Sequence, residues 1–372
     1  MDDSEYSEAA RAADRARIVV IDAEIHRLQE WIRVLQMEQQ SCQQRLDAYK
    51  YRVLTLPNEI TSEIFLHFIP PYPDCPPLRG LDSPTTLTHI CREWRDIALA
   101  TPMLWRGLSI DEADNRAGVV QTWLDRSGSC PLSITLERGH SRAGARNESF
   151  IAALLYCERW QHVQLKLGTE EVALIKGPLP LLETLSLVVV GRFNYRQPTT
   201  SFGDFPRLRA VMLNDADHGW LPISQVTSLA VKTVLPSRYI SHLCAAVDLR
   251  YLSLIECSPP RVPHGQNHIQ LPRLEILVLM RCPDVHRILD MLTLTALHTL
   301  RVCGKGLGED LISSLSSFIS RSGCKLQQVR RVLDGSQESF RAAFPSVPKI
   351  IFNAKHNDWI SEESTGYRTA IL

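Results

Sequence analysis

The chain has 372 residues, 44% of them hydrophobic and 22% charged, which excludes a disordered protein and leaves room for two or three folded units. Its 41 Lys and Arg balance its 41 Asp and Glu, so there is no bulk case for a nucleic-acid or anionic-membrane partner. No apolar window approaches the about 20 residues of a membrane span, the polar start "MDDSEYSEAARAADRAR" holds no signal-peptide core, and ten cysteines without a secretion signal read as reduced thiols. The expected compartment is the cytoplasm, the nucleus or both.

The first element is a long helix. Apolar residues fall at Ile18, Ile21, Ile25, Leu28, Ile32 and Leu35, then at Cys42, Leu46, Tyr49 and Val53, in steps of three and four with Gln39 in the missing slot. No Pro or Gly interrupts them. A narrow seam at 3.5-residue spacing predicts a coiled coil over residues 1–53. Such a seam needs cover, and two readings stay open: another helix, including self-association through a second copy, or a surface of the same chain. Asp22, Glu24 and Glu38 flank the front of the seam and Arg45, Lys50 and Arg52 the back, an arrangement that suits antiparallel pairing.

Residues 54–110 predict short helices. Pro57 suits a first turn, where its missing N–H costs nothing. Ile60, Ile64, Phe65 and Phe68 follow at helical spacing, and the prolines of "PPYPDCPP" stop the helix. Ser83-Pro84 reads as a second N-cap and first turn, leading into Leu87, Ile90, Cys91, Trp94 and Ile97 on one face. Thr101-Pro102 opens a third turn carrying Met103, Leu104 and Trp105. A unit of this size cannot hide so many large apolar side chains by itself, so part of the face is expected to serve a partner.

Residues 111–332 repeat. "WQHVQLKL", "LLETLSL", "LRAVML", "VTSLAV", "LRYLSL", "LEILVL" and "LHTLRV" share apolar positions around an LxL core. The markers Val163, Leu185, Val211, Leu229, Leu252, Leu277 and Leu300 are 22, 26, 18, 23, 25 and 23 residues apart, inside or near the spacing of leucine-rich repeats. Cys257 and Cys282 take the position where that pattern has Asn or Cys. The expected fold class is an α/β solenoid, an irregular leucine-rich-repeat-like domain behind the small helical unit and the coiled-coil helix. Returning segments include "SRYISHLCAAV" and "VHRILDML", and Pro in "LPLLE", "FPRLR" and "LPRLE" is expected at the first position of strands. Residues 333–372 read as a cap and tail, with one last strand in "AFPSVPKIIFN".

Chemistry is sparse. No cysteines form a C-x-x-C pair. "GKGLGED" lacks Walker spacing. His140 beside Ser141 is only a sequence adjacency, and His264 with His268 reads as polar surface. No catalytic residue, metal or cofactor is expected.

"LPNEITSEIFLHFI" followed by "CREWRDIALATPMLWRGL" resembles an F-box, and with the repeats behind it the chain from Leu54 to Arg331 resembles the F-box-like proteins of mushroom-forming fungi. The resemblance implies that the F-box (54–110) binds the Skp adaptor of a cullin–RING ubiquitin ligase while the repeats recruit a protein substrate. It matches Leu56 and Pro57 to the adaptor-packing Leu-Pro, Ile60, Ile64 and Phe65 to the first helix face, Cys91 and Trp94 to the second helix, and Leu104 and Trp105 to the closing pair. The Pro-rich connection Pro70–Pro84 departs from a compact F-box; it either alters adaptor affinity or loops outward. The function expected is a non-catalytic substrate receptor. Its rival is a ligase-independent coiled-coil scaffold, and an intracellular hydrolase built on His140 or Ser141 comes last.

Overall fold

The computed structural model describes residues 5–49, 51–111, 117–137, 148–190, 204–214, 222–232, 243–258, 269–303, 309–332 and 337–353. The chain is mixed α/β and divides into two compact units, Met1–Thr61 and Ser62–Leu372.

In the first unit, α1 (Glu5–Ala48) is a single helix of 44 residues. The seam residues Ile18, Ile21, Ile25, Leu28, Ile32 and Leu35 are each between 43% and 55% exposed. Arg27 pairs with Glu24 and Arg33 with Glu30 across single turns; such solvent-exposed pairs add little to stability. A single-turn 3₁₀ segment, Arg52–Thr55, leads to α2 (Asn58–Phe68), inside which the division between the units falls.

The second unit is organised by one parallel sheet. Its strands are β1 (Gly107–Asp111), β2 (Leu132–Glu137), β3 (Trp160–Gly168), β4 (Thr184–Val190), β5 (Ala210–Asn214), β6 (Ser228–Lys232) and β7 (Tyr251–Ile255), then β9 (Ile276–Met280), β11 (Thr299–Cys303), β12 (Gln328–Val332) and β13 (Lys349–Asn353). They lie side by side in chain order. Two short strands, β8 (Ile269–Gln270) and β10 (Leu292–Thr293), form a separate parallel pair. The seven repeat markers occupy one lateral rung, Val163–Leu185–Val211–Leu229–Leu252–Leu277–Leu300. The rung also extends beyond the predicted repeats, to Leu108 and Ile134 on one side and Val329 and Ile350 on the other. Thus β1 overlaps the end of the stretch 54–110, and "VPKIIFN" does supply a last strand. A second rung two residues on runs Ile110–Leu136–Leu165–Leu187–Leu213–Val231–Leu254–Leu279–Val302.

Because strand side chains alternate, both rungs face one way, and they share a hydrophobic core with the connecting helices. These are α3 (Arg92–Leu99), α4 (Ala117–Arg126), α5 (Glu148–Leu154), α6 (Thr169–Val172), α7 (Val285–Met291), α8 (Glu309–Ser322) and α9 (Gln337–Ala343). α7 is the predicted "VHRILDML" return. The prolines of the "LP" runs are not in strands. Leu182 N–H bonds to Leu179 O, Leu208 to Phe205 and Leu274 to Leu271, so Pro180, Pro206 and Pro272 sit second in β-turns, where a fixed φ is favourable. The apolar ends of each turn are buried, which makes the turn part of the repeat.

Cys257 and Cys282 are buried, and each thiol bonds to a carbonyl of the preceding repeat, Val231 O at 3.5 Å and Leu254 O at 3.4 Å. The residues before them, Glu256 and Arg281, have φ of 53° and 49°. These left-handed turns end β7 and β9 and aim the cysteines inward, while Arg281 Nη2 pairs with Glu256 Oε1 at 2.9 Å. Burial raises both thiol pKa values, to about 12 for Cys257 and about 11 for Cys282.

Candidate partner-docking face

Pro57 lies one residue before α2, and its carbonyl accepts from Thr61 N–H at 3.0 Å and Thr61 Oγ1 at 3.2 Å. It therefore acts as the N-cap, its carbonyl accepting the first bond of the helix. Leu56, Pro57 and Ile60 are exposed and belong to the first unit. The apolar residues of α2 do not form a single face. Phe65 is buried and Leu66 and Ile69 pack with it against the core, whereas Ile60, Ile64 and Phe68, each one turn from the next, point to solvent. Ile64 and Phe65 differ by about 100° around the helix, so one stripe builds the fold and the other is left bare. Ile64 is 48% exposed.

The second predicted helix is two elements. Ser83 caps as expected, its Oγ accepting from Thr85 N–H with Pro84 behind it, but the turn that follows is a 3₁₀ segment, Pro84–His89. Cys91 is extended and starts afresh as the N-cap of α3, its sulfur accepting from Trp94 N–H at 3.4 Å. The break removes the common face: Leu87 and Ile97 are buried, Cys91 and Trp94 partly buried, and Ile90 is turned out at 55% exposure. Trp94 meets Phe65 edge-on with ring centroids 5.0 Å apart, a favourable aromatic geometry. Its buried indole N–H finds no acceptor among the described residues.

The third turn, Pro102–Trp105, forms as predicted, yet Leu104 and Trp105 have no accessible surface. Trp105 Nε1 donates to Ala98 O at 2.9 Å, its ring stands edge-on to Trp123 of α4 at 5.0 Å, and the Arg126 guanidinium lies 4.6 Å from its centroid. Trp123 in turn donates to Gly107 O of β1. Phe65, Leu104 and Trp105 thus hold the helices to the sheet, and their side chains cannot face a partner in this structure. Of the residues matched to adaptor contact, Leu56, Pro57, Ile60 and Ile64 are exposed, and Cys91 and Trp94 are partly buried. The structure adds Phe68, Ile90, Leu99 and Met103 as exposed apolar side chains on the same short elements. Ile90 could have been found from Cys91 as an N-cap; nothing local marks Leu99.

The Pro-rich connection does not loop outward. Pro76 and Leu78 are buried, Ser109 N–H of β1 bonds to Pro76 O at 3.1 Å, and Pro77 bridges to Ser109. Tyr72 OH donates to Gln161 Oε1 at 2.8 Å, its ring meets His162 edge-on, and Arg106 lies 3.9 Å from its centroid. Cys75 Sγ contacts Ser133 Oγ at 3.2 Å. The connection is a strap across the opening residues of β1–β3, and Gly107 admits it: a Cβ there would meet Pro76 Cδ at 3.1 Å and Asp74 O at 3.3 Å. Burial raises the pKa of Tyr72 and Cys75 and lowers that of His162, keeping all three neutral.

His140, Ser141, His264 and His268, Gly304 to Gly308 of "GKGLGED", and the first residues of "SRYISHLCAAV" lie outside the described residues. Among the described residues no group of three or more His, Cys, Asp or Glu side chains could hold a metal ion, and no helix is long and apolar enough to cross a membrane. No protein-family model matches the chain. No curated protein matches it significantly in sequence.

Proposed function

We propose that the chain is a non-catalytic substrate receptor of an SCF-type cullin–RING ubiquitin ligase in the cytoplasm or nucleus. The F-box-like helices dock a Skp-type adaptor, and through it a cullin. The sheet unit, read as an irregular leucine-rich-repeat-like solenoid, recruits a protein substrate. The observation that carries this reading is the division of α2 into a buried stripe around Phe65 and an exposed one through Ile64. Three large apolar side chains one turn apart, Ile60, Ile64 and Phe68, stay exposed on the face opposite Phe65, the arrangement a docking stripe requires. The in-register rungs, the turns before β4, β5 and β9 and the inward cysteines support the repeat reading. Holding substrate beside a ligase contributes proximity, which requires no reactive group on the receptor itself.

The test is co-purification of a Skp-type adaptor with the full chain, lost on Leu56→Ala/Pro57→Ala and on Ile64→Asp. The full chain is required because Trp105 packs on Trp123, beyond residue 110. An intact chain that leaves the adaptor unbound refutes the reading. The second reading, a ligase-independent scaffold for protein–protein interaction, is favoured by the uncovered seam of α1 and predicts assembly without adaptor.

A further inference from the structure

We infer that α1 pairs with α1 of a second copy of this chain as a parallel, in-register, two-stranded coiled coil. Counting heptads from Ile18 as position a places Ile18, Ile25 and Ile32 at a and Ile21, Leu28 and Leu35 at d. β-Branched residues at a with mainly Leu at d are the combination that favours two parallel strands. These six side chains are exposed along one helix with no Pro or Gly. Val19, Val20, Val34 and Met37 are exposed too, but fall at b, c and f and do not extend the seam.

Gln39 decides the orientation. It takes the next a position, between Leu35 and Cys42 at d. In an antiparallel pair a residue at a meets residues at d, and in the full-overlap register, which sets Cys42 against Ile25, Gln39 meets Leu28, which cannot satisfy the amide. In a parallel pair Gln39 meets Gln39 of the second copy, and each amide both donates and accepts. A lone polar layer of this kind also sets register.

One flanking charge pair agrees once heptad positions are assigned. Arg17 at g and Asp22 at e form no ion pair among the described residues, and parallel pairing sets each against the other's counterpart across the interface. The antiparallel alternative relies on Glu24 meeting Arg45 of the second copy, yet Glu24 already accepts from Arg27 at 2.6 Å. The front-to-back charge asymmetry that suits antiparallel pairing is therefore partly used up within the helix. Parallel pairing sends both chains out of the same end of the coil, so the molecule presents its binding surfaces twice, a route to avidity without any new contact.

The parallel arrangement also places Cys42 opposite Cys42 at a d layer, where an antiparallel pair in the full-overlap register sets it against Ile25. The test uses the full chain. Sedimentation is expected to give a dimer, and mild oxidation followed by peptide mass spectrometry a Cys42–Cys42 link that Cys42→Ser abolishes. Ile25→Asp/Ile32→Asp is expected to abolish the dimer completely while thermal unfolding of the sheet unit keeps its midpoint. A monomer, a higher oligomer, or a dimer lacking the Cys42–Cys42 link would each overturn the inference.

Discussion

Replacing Ile64 with Asp separates the docking role of α2 from its structural one. Ile64 is 48% exposed in the isolated chain, so a partner can bury roughly half of its side chain. Full burial of an Ile is worth about 1.5–3 kcal/mol, which makes the share open to a partner about 1 kcal/mol, or roughly fivefold in affinity. Asp removes that gain and leaves a carboxylate to be desolvated without a partner, adding about 1–3 kcal/mol. Adaptor affinity should fall at least about thirtyfold. Folding should barely change, within about 0.5 kcal/mol, because the position is a half-exposed helix surface. Phe65→Ala, one residue away, is the counterpart: it empties a buried site facing Trp94 and should cost about 3–5 kcal/mol of stability. Urea unfolding followed by circular dichroism reads stability, and calorimetric titration with a Skp-type adaptor reads binding. If Ile64→Asp binds the adaptor like the unmodified chain while folded, the outer stripe of α2 is not the docking surface.

Other consequences can be checked separately. Trp105→Phe loses the bond to Ala98 O and part of a buried ring, so unfolding should show a loss of about 2–4 kcal/mol; Trp94→Phe removes an N–H that has no acceptor among the described residues and should cost less than about half of that. Tyr72→Phe deletes the strap's bond to Gln161 and should lower stability by about 0.5–1.5 kcal/mol, with cleavage in the 70–84 connection appearing sooner in timed proteolysis. Under native labelling, exposed Cys244 should react with iodoacetamide well before Cys257 and Cys282. Their folded-state thiol pKa values lie above the ordinary value near 9, so the stability they contribute is complete below pH 9. It should fall as pH rises toward about 11 and 12, because above pH 9 only the unfolded chain releases these protons. A flat stability profile across that range would contradict the assignment.

The strands were legible because their signal is local and repeated. An LxL pattern needs only alternation to bury two side chains on one face, and the seven markers chosen by spacing occupy one rung. The cap at Ser83 and the turn opened by Thr101-Pro102 were legible for the same reason. The strap was not, since Tyr72 finds Gln161 and His162 some 90 residues away and no local feature of "PPYPDCPP" announces a binding surface for it. Nor was the division of labour among the apolar residues of the helical unit. Ile64 and Phe65, or Met103 and Leu104, are chemically alike; which one is buried depends on where Trp94 and Trp123 arrive from the rest of the chain. Periodicity in the sequence therefore determined which segments are strands and helices and which positions stack, because those choices depend on neighbours close in the chain. Only the tertiary structure decided which apolar groups remain in water, because exposure is a property of what packs against a side chain and not of the side chain itself.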